Sequence, residues 1–137
     1  MVGVVTREVK LTIPAEWWLT SNQRIHWSKR STATANLRTL AIAECQKQRV
    51  IRGLESARIV AHLTYPDRKR RDAQNAHLTT KALVDGLIDY GVLPDDNDAH
   101  LVGPDHRNAG VTPGKYTVRL VIESGDTSEG DGRNAVR

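Results

Sequence analysis

Residues 59–91, IVAHLTYPDRKRRDAQNAHLTTKALVDGLIDYG, contain the two periodicities that decide the fold. In the first part, apolar and polar residues alternate from Ile59 to Tyr65, which predicts a half-buried strand closed by proline. From about 76 to 90, apolar residues recur at helical spacing, which predicts a helix that ends at Gly91. The segment therefore predicts a strand and a helix joined by a strongly basic loop.

The sequence on either side of this segment repeats the same two patterns. Period-two alternation predicts two further strands, and a short strand is expected before Gly103-Pro104 breaks it. A long helix is expected to end at Gly53. Its buried face is predicted to contain Leu37, Leu40, Ala41 and Cys45. The order β-α-β-α-β-β predicts a small mixed β-sheet with two main helices, a single α/β (α+β) domain. The predicted strands are 5–13, 58–65, 100–102 and 115–123, and the predicted helices are 32–52 and 76–90.

The length of 137 residues suits one domain, expected over residues 1–123. Residues 124–137, SGDTSEGDGRNAVR, are polar and Gly-rich, which predicts a disordered tail. The sequence has neither an apolar run of membrane-spanning length nor the features of a signal peptide. The lone Cys45 excludes an internal disulfide, so a reducing, cytoplasmic setting is expected.

Charge is distributed unevenly along the chain. Residues 1–71 contain 14 Lys and Arg against 5 Asp and Glu, whereas residues 72–137 contain 6 against 11. The basic half ends in Arg68, Lys69, Arg70 and Arg71, and Asp72 follows at once. A cationic surface beside carboxylates suits a nuclease, because cations bind phosphates and carboxylates bind a metal. A solvated surface of mixed charge explains the same composition.

Three aspartates are the candidate metal ligands. Asp72 lies between the predicted strand and helix, and Asp95 and Asp96 lie on the loop after that helix. Mg²⁺ prefers oxygen ligands and usually takes one or two carboxylates, with water and substrate phosphate completing its shell. Asp72 and one of the paired aspartates are therefore expected to bind the same ion, which polarises a phosphate or activates water.

Each of these residues also has a purely structural explanation. Asp72 or Asn75 is a favoured N-cap for the helix that follows. Asp95 and Asp96 after a proline suit an ordinary turn. Lys81 and Asp85, four residues apart on a helix, suit a surface ion pair.

The joint order of these residues resembles the RusA family of Holliday-junction resolvases, of the phage and prophage type. In that family, a strand ending in a Pro-Asp and Arg-rich stretch leads through Asp and Asn to a helical Lys, a D-x-L element and an Asp-Asp pair. The N-terminal part is similar too, with Ser21-Asn22 and a basic-aromatic segment before a long helix. The matching residues are Pro66-Asp67, Arg68–Arg71, Asp72, Asn75, Lys81, Asp85-Gly86-Leu87, Gly91 and Asp95-Asp96.

The resemblance implies a homodimer that resolves four-way DNA junctions by symmetric paired nicks, using Mg²⁺ for which Mn²⁺ can substitute. It implies that Asp72, Asp95 and Asp96 are catalytic metal ligands and that Lys81 stabilises charge on the phosphate. The implied DNA-binding residues are Asn22, His26, Lys29, Arg30, Arg68, Lys69, Arg70, Arg71 and Asn75. The implied setting is the cytoplasm of a bacterium or a phage-infected host, without membrane association.

Two departures from the family pattern keep other functions open. Many members have an aspartate where this chain has Gln74, which removes one anion unless Asp85 or Asp98 compensates. The spacing from Asn75 to Lys81 is also longer than in some members. The alternatives are a metal-dependent nuclease that acts on forks or flaps, and a catalytically impaired protein that binds branched DNA.

Overall fold

The computed structural model describes residues 6–124, which form four strands and two main helices. The strands are β1 (Glu8–Ile13), β2 (Ala57–Tyr65), β3 (Leu101–Val111) and β4 (Tyr116–Ser124). The helices are α1 (Trp27–Gln48) and α2 (His77–Tyr90), and short 3-10 turns cover Ala15–Trp17 and Ala73–Ala76.

The strands form one mixed sheet in the order β1-β4-β2-β3. β4 pairs antiparallel with both β1 and β2, whereas β2 pairs parallel with β3 at the edge. The parallel pair is connected through α2, as parallel strands require a crossover. The chain is thus a single small α+β domain, and the predicted element order is confirmed.

The sheet contributes alternate residues of three strands to the hydrophobic core. Val9, Leu11 and Ile13 of β1 are buried, as predicted from their spacing. Corresponding residues of β2 and β4 are buried as well: Ile59, Ala61, Leu63, Val118, Leu120 and Ile122. α1 adds Leu37, Ala41 and Cys45 to the same core, and burial raises the pKa of the Cys45 thiol to about 12.

The predicted bounds of α1 are wrong at both ends. The helix starts at Trp27 because the His26 side chain accepts a hydrogen bond from the Ser28 backbone, while its first turn is exposed and lacks apolar periodicity. It ends at Gln48, because Arg49 adopts a left-handed conformation (φ 58°). Val50 is buried and bridges to Thr6, so the chain leaves the helix before the predicted stop.

The prediction that Gly103-Pro104 ends a short strand is also wrong. β3 continues through both residues to Val111, and the pairing with β2 shifts register between Arg58 and Val60. Proline lacks a backbone N–H, which edge strands and bulges tolerate. Gly103 has φ of 103° and lies so close to β2 that a Cβ there would be 2.6 Å from the Ile59 carbonyl oxygen.

The C-terminal boundary differs from the expectation by one residue. Ser124, expected to start the tail, is the last residue of β4, and the tail predicted over the remaining residues lies outside the described part of the chain. Within residues 6–124, neither helix is both long enough and apolar enough to span a membrane.

The two helices approach each other most closely at Gly86 of α2. A Cβ at this position would lie 2.6 Å from the Ala41 Cβ and 2.7 Å from the Arg38 carbonyl oxygen. Arg38 also forms a bidentate ion pair with Asp89, with a shortest N–O distance of 2.8 Å. The glycine of the Asp85-Gly86-Leu87 element therefore allows the helices to pack.

We predict that Gly86→Ala destabilises the fold despite the higher helix propensity of alanine. The new methyl group meets backbone at the crossing, and overpacking of this kind costs about 1–3 kcal/mol. Urea denaturation measures the change, with Thr39→Ala on the exposed face of α1 as the control. An unchanged free energy of unfolding for Gly86→Ala would contradict the tight crossing.

Candidate functional site

The first predicted catalytic residue, Asp72, lies at the entrance to α2. Its Oδ1 accepts a hydrogen bond from the Gln74 backbone N–H at 3.0 Å, so it caps the turn Ala73–Ala76. Among the residues that the structure describes, Oδ2 of Asp72 has no hydrogen-bond partner, and the residue is exposed. Asp72 thus caps the short turn before α2 and not α2 itself, whose N-cap, Ala76, has no side-chain cap. This bond leaves one carboxylate oxygen available for a ligand.

The cations of the basic loop before Asp72 differ in their contacts. Arg68, Lys69 and Arg70 are exposed. Arg71 instead bonds Asp67 at 2.7 Å, and its guanidinium lies 4.8 Å from the Tyr65 ring centroid. The Arg71 hydrogen bond holds the pKa of the Asp67 carboxyl below its usual range. Arg71 thus has a structural role in addition to its predicted contact with DNA.

A pocket of about 250 Å³ opens beside Asp72. Its aromatic part is a stacked pair, Trp18 and Tyr116, whose ring centroids are 4.5 Å apart, with Tyr65 edge-on to both. A backbone bond from Ser21 to Asn75 joins the two loops at its rim. The residues lining the pocket are Trp18, Thr20, Asn22, Tyr65, Arg70, Arg71, Asp72, Asn75, Ala76 and Tyr116.

The exposed face of α2 carries Lys81, which contacts two carboxylates. Its Nζ donates to Asp96 Oδ2 at 3.0 Å and to Asp85 Oδ1 at 3.2 Å. The hydrogen bond to Asp96 is the main reason that the pKa of Lys81 is raised, so the ammonium stays charged. The same bond lowers the pKa of Asp96. The structure therefore joins Lys81 and Asp96, which are 15 residues apart in sequence.

Asp95 contributes to the turn that positions Asp96. Its Oδ1 accepts from the Asp96 backbone N–H at 2.7 Å, and its Oδ2 lies 3.4 Å from Asn97 Nδ2. This is the turn chemistry expected as the structural alternative. Both aspartates remain exposed, as does Asp98.

A buried cluster beneath the start of α2 was missed by the sequence analysis. His106 of β3 is 5% exposed, and its ring nitrogens contact Thr80 Oγ1 at 2.7 Å and Gln74 Oε1 at 3.1 Å. The Thr80 hydroxyl also lies 3.2 Å from the His77 carbonyl oxygen, so the tautomer of His106 depends on which of these two partners receives the hydroxyl proton. The Gln74 side chain is thereby connected to β3. No local pattern indicates this cluster, because its members come from a turn, a helix and a distant strand.

The start of α1 presents the remaining predicted DNA-binding residues. His26, Lys29 and Arg30 are all exposed, and Trp27 between them is 75% exposed. His26 also caps the helix. Asn22 precedes this segment and reaches the pocket beside Asp72. The chain thus places this basic segment close in sequence to a residue that shares a pocket with Asp72.

The predicted residues fall into two groups at α2. Asp72, Asn22, Asn75, Arg70 and Arg71 share the pocket at its start, whereas Lys81, Asp95 and Asp96 meet at its exposed face and following loop. Over residues 6–124, no three His, Cys, Asp or Glu side chains form a group suited to a metal ion. The structure does not join Asp72 and Asp96 through a side-chain contact.

No protein-family model matches this chain, and the curated proteins compared with it give no match.

We predict that Lys81→Met raises the pKa of Asp96 toward its ordinary value of 3.8. A carboxyl whose pKa is lower in the folded than in the unfolded protein stabilises the fold at pH values above 3.8. This stabilisation is lost as the pH falls through the lowered pKa. NMR titration of the Asp96 carboxyl carbon measures the change, with Lys47→Met as the control. The contact is contradicted if Asp96 titrates identically in wild type and Lys81→Met.

We predict that His106→Gln weakens the dependence of stability on pH. Burial is the main cause of the lowered pKa of His106, so the unfolded chain binds more protons once the pH falls below 6.5. Wild-type stability should fall as the pH decreases from 6.5 toward the lowered pKa, and less so in the variant. Urea denaturation across this range measures the slope.

His62 is the matched comparison, because burial also lowers its pKa although it lies on the sheet away from α2. We expect His62→Gln to reduce the slope of the free energy of unfolding against pH independently of His106→Gln. Equal slopes for wild type and His106→Gln would show that His106 does not remain uncharged in the fold.

Proposed function

We propose that this chain is a Mg²⁺-dependent, structure-specific endodeoxyribonuclease of the RusA type, which resolves four-way DNA junctions. The observation that carries the proposal is the contact between Lys81 and Asp96, at 3.0 Å. This contact gathers a cation and a carboxylate from the family-like pattern on one face of α2, and Asp72 lies at the start of the same helical segment.

The cations that flank the site suit a phosphate backbone. Arg68, Lys69 and Arg70 precede Asp72 and are exposed, and Lys29 and Arg30 are exposed in the first turn of α1. Binding of DNA phosphates by such side chains releases counterions, so the affinity falls steeply with salt. Phosphate contacts position the duplex without reading its sequence, which suits an enzyme selective for branched structure.

The carboxylates present fit a magnesium ion by their chemistry. Asp72, Asp95 and Asp96 are exposed oxygen donors, and Mg²⁺ requires only one or two carboxylates besides water and phosphate. When bound, the ion supplies charge stabilisation at the phosphate and a more acidic water. Gln74 is not among the proposed ligands, because Mg²⁺ is usually bound through carboxylates and the amide oxygen of Gln74 carries no charge.

Lys81 is proposed to stabilise the negative charge that develops on the phosphate during hydrolysis. Its ammonium is held by Asp85 and Asp96 rather than free to rotate, so little reorganisation is needed when substrate binds. Asp85 is thus a positioning residue for Lys81. This arrangement gives the Asp85-Gly86-Leu87 element an electrostatic role besides helix packing.

Paired cleavage of a four-way junction favours a homodimer. The junction has approximate two-fold symmetry, and a two-fold dimer places one site at each of two equivalent strands. We propose this assembly for the chain, acting in the cytoplasm of a bacterium or a phage-infected host.

The test is cleavage of labelled four-way, forked and linear DNA by pure protein with Mg²⁺ or EDTA. We expect paired nicks near the crossover with Mg²⁺ and none with EDTA. Asp72→Asn, Asp96→Asn and Lys81→Met should each lose at least about 100-fold in rate while still binding the junction, because each removes a charge needed in the transition state. Glu8→Gln is the matched control, since Glu8 is a carboxylate on β1, the edge strand opposite β3, and it pairs with Arg119 rather than with any residue of the site.

The same assay separates the alternatives. Preferential nicking of forks or flaps supports a nuclease of different branch selectivity. Tight junction binding without cleavage supports a catalytically impaired binding protein, a reading favoured by Gln74 where many family members have aspartate. Retention of full activity in Asp72→Asn and Asp96→Asn would overturn the proposed site.

A further inference from the structure

The pocket beside Asp72 has a composition unlike the rest of the basic surface. Three aromatic side chains form part of its wall, and Trp18 and Tyr116 stack with an interplanar angle of 20°. Its volume of about 250 Å³ is slightly below the range of about 300–1,000 Å³ found for drug-sized ligands. The pocket is therefore better suited to a small group than to a drug-sized molecule.

Polar groups at the pocket are free to bind a ligand. Within residues 6–124, the side chains of Asn22, Asn75 and Arg70 have no hydrogen-bond partner, although all three line the pocket. Arg71 differs, because Asp67 and Tyr65 already hold its guanidinium in place. An aromatic wall, two amide side chains and a free cation are the groups that bind unpaired nucleotides.

We infer that this pocket binds the base of one unpaired nucleotide next to the phosphate that the enzyme cleaves. The inference rests on the proposed function, since Asp72 lines the same pocket. Trp18 and Tyr65 are each only 6% exposed and support Tyr116, whose half-buried ring meets the flat base. Asn22 and Asn75 hydrogen-bond the edge of the base, and Arg70 binds a flanking phosphate.

Branched DNA is the substrate class from which such a base is most easily obtained. Removing a base from a duplex costs unstacking and unpairing energy, and this cost is least where the base is mismatched or already single-stranded. The pairs at a branch point have lost part of their stacking, so a base there enters the pocket more readily than one within a linear duplex. The pocket thus contributes to branch selectivity and to the choice of cleavage position.

The test compares binding of the pure protein to a labelled duplex with one unpaired thymine and to the same duplex without it, in EDTA. We expect wild type to bind the bulged duplex about tenfold more tightly, because base stacking and edge contacts are gained. Asn22→Ala and Asn75→Ala should each reduce this ratio toward one. Asn36→Ala on α1, outside the pocket, is the matched control and should keep the wild-type ratio.

Permanganate oxidation of the unpaired thymine gives a second measurement on the same complexes. The base should be protected when wild type is bound and reactive when either pocket variant is bound at saturating protein. Asn22 lies on an exposed loop, so its variant remains informative even if Asn75→Ala fails to fold.

The outcomes distinguish this inference from the proposed function. Junction cleavage without a preference for the bulged duplex would overturn the pocket assignment and leave the nuclease intact. A preference that both pocket variants retain would also overturn it. A preference lost in the variants, with no cleavage of any DNA, would support the pocket and overturn the nuclease.

Discussion

The close approach of α1 and α2 at Gly86 is the constraint on which the site depends. The residues proposed for catalysis lie on α2 or on the loops at its two ends, so the position of this helix fixes them all. Absence of a side chain at Gly86 lets Ala41 and the Arg38 backbone approach, and the Arg38–Asp89 ion pair lies beside the contact. Lys81 and Asp85 are left on the exposed face, where they meet Asp96.

The same helix explains how opposite charges coexist on a small surface. Exposed arginine and lysine side chains precede Asp72, whereas carboxylates predominate from Asp85 to Asp98. Lys81 precedes the acidic part and contacts two of its carboxylates, Asp85 and Asp96, which lessens their mutual repulsion. Because these groups are exposed or half-buried, solvent screening limits their contribution to stability.

Local sequence patterns predicted the helices and strands well, but they predicted the tertiary contacts between them poorly. Period-two spacing identified the buried residues of β1, β2 and β4, and Gly91 does end α2. The start of α1 was missed because its first turn has no apolar face, and β3 was cut short because an edge strand tolerates proline. The bonds of His106 to Gln74 and Thr80 depend on parallel pairing of β3, which no local pattern encodes.

Capping and catalysis are compatible roles for Asp72, and the geometry shows why. Capping uses Oδ1 alone and fixes the carboxylate relative to the backbone. Within residues 6–124, Oδ2 has no hydrogen-bond partner. A carboxylate held in this way loses less conformational freedom when it binds an ion than one on a free side chain. The structural explanation of Asp72 therefore does not argue against its proposed chemical role, because the hydrogen bond that shapes the turn also fixes the carboxylate that we propose as a ligand.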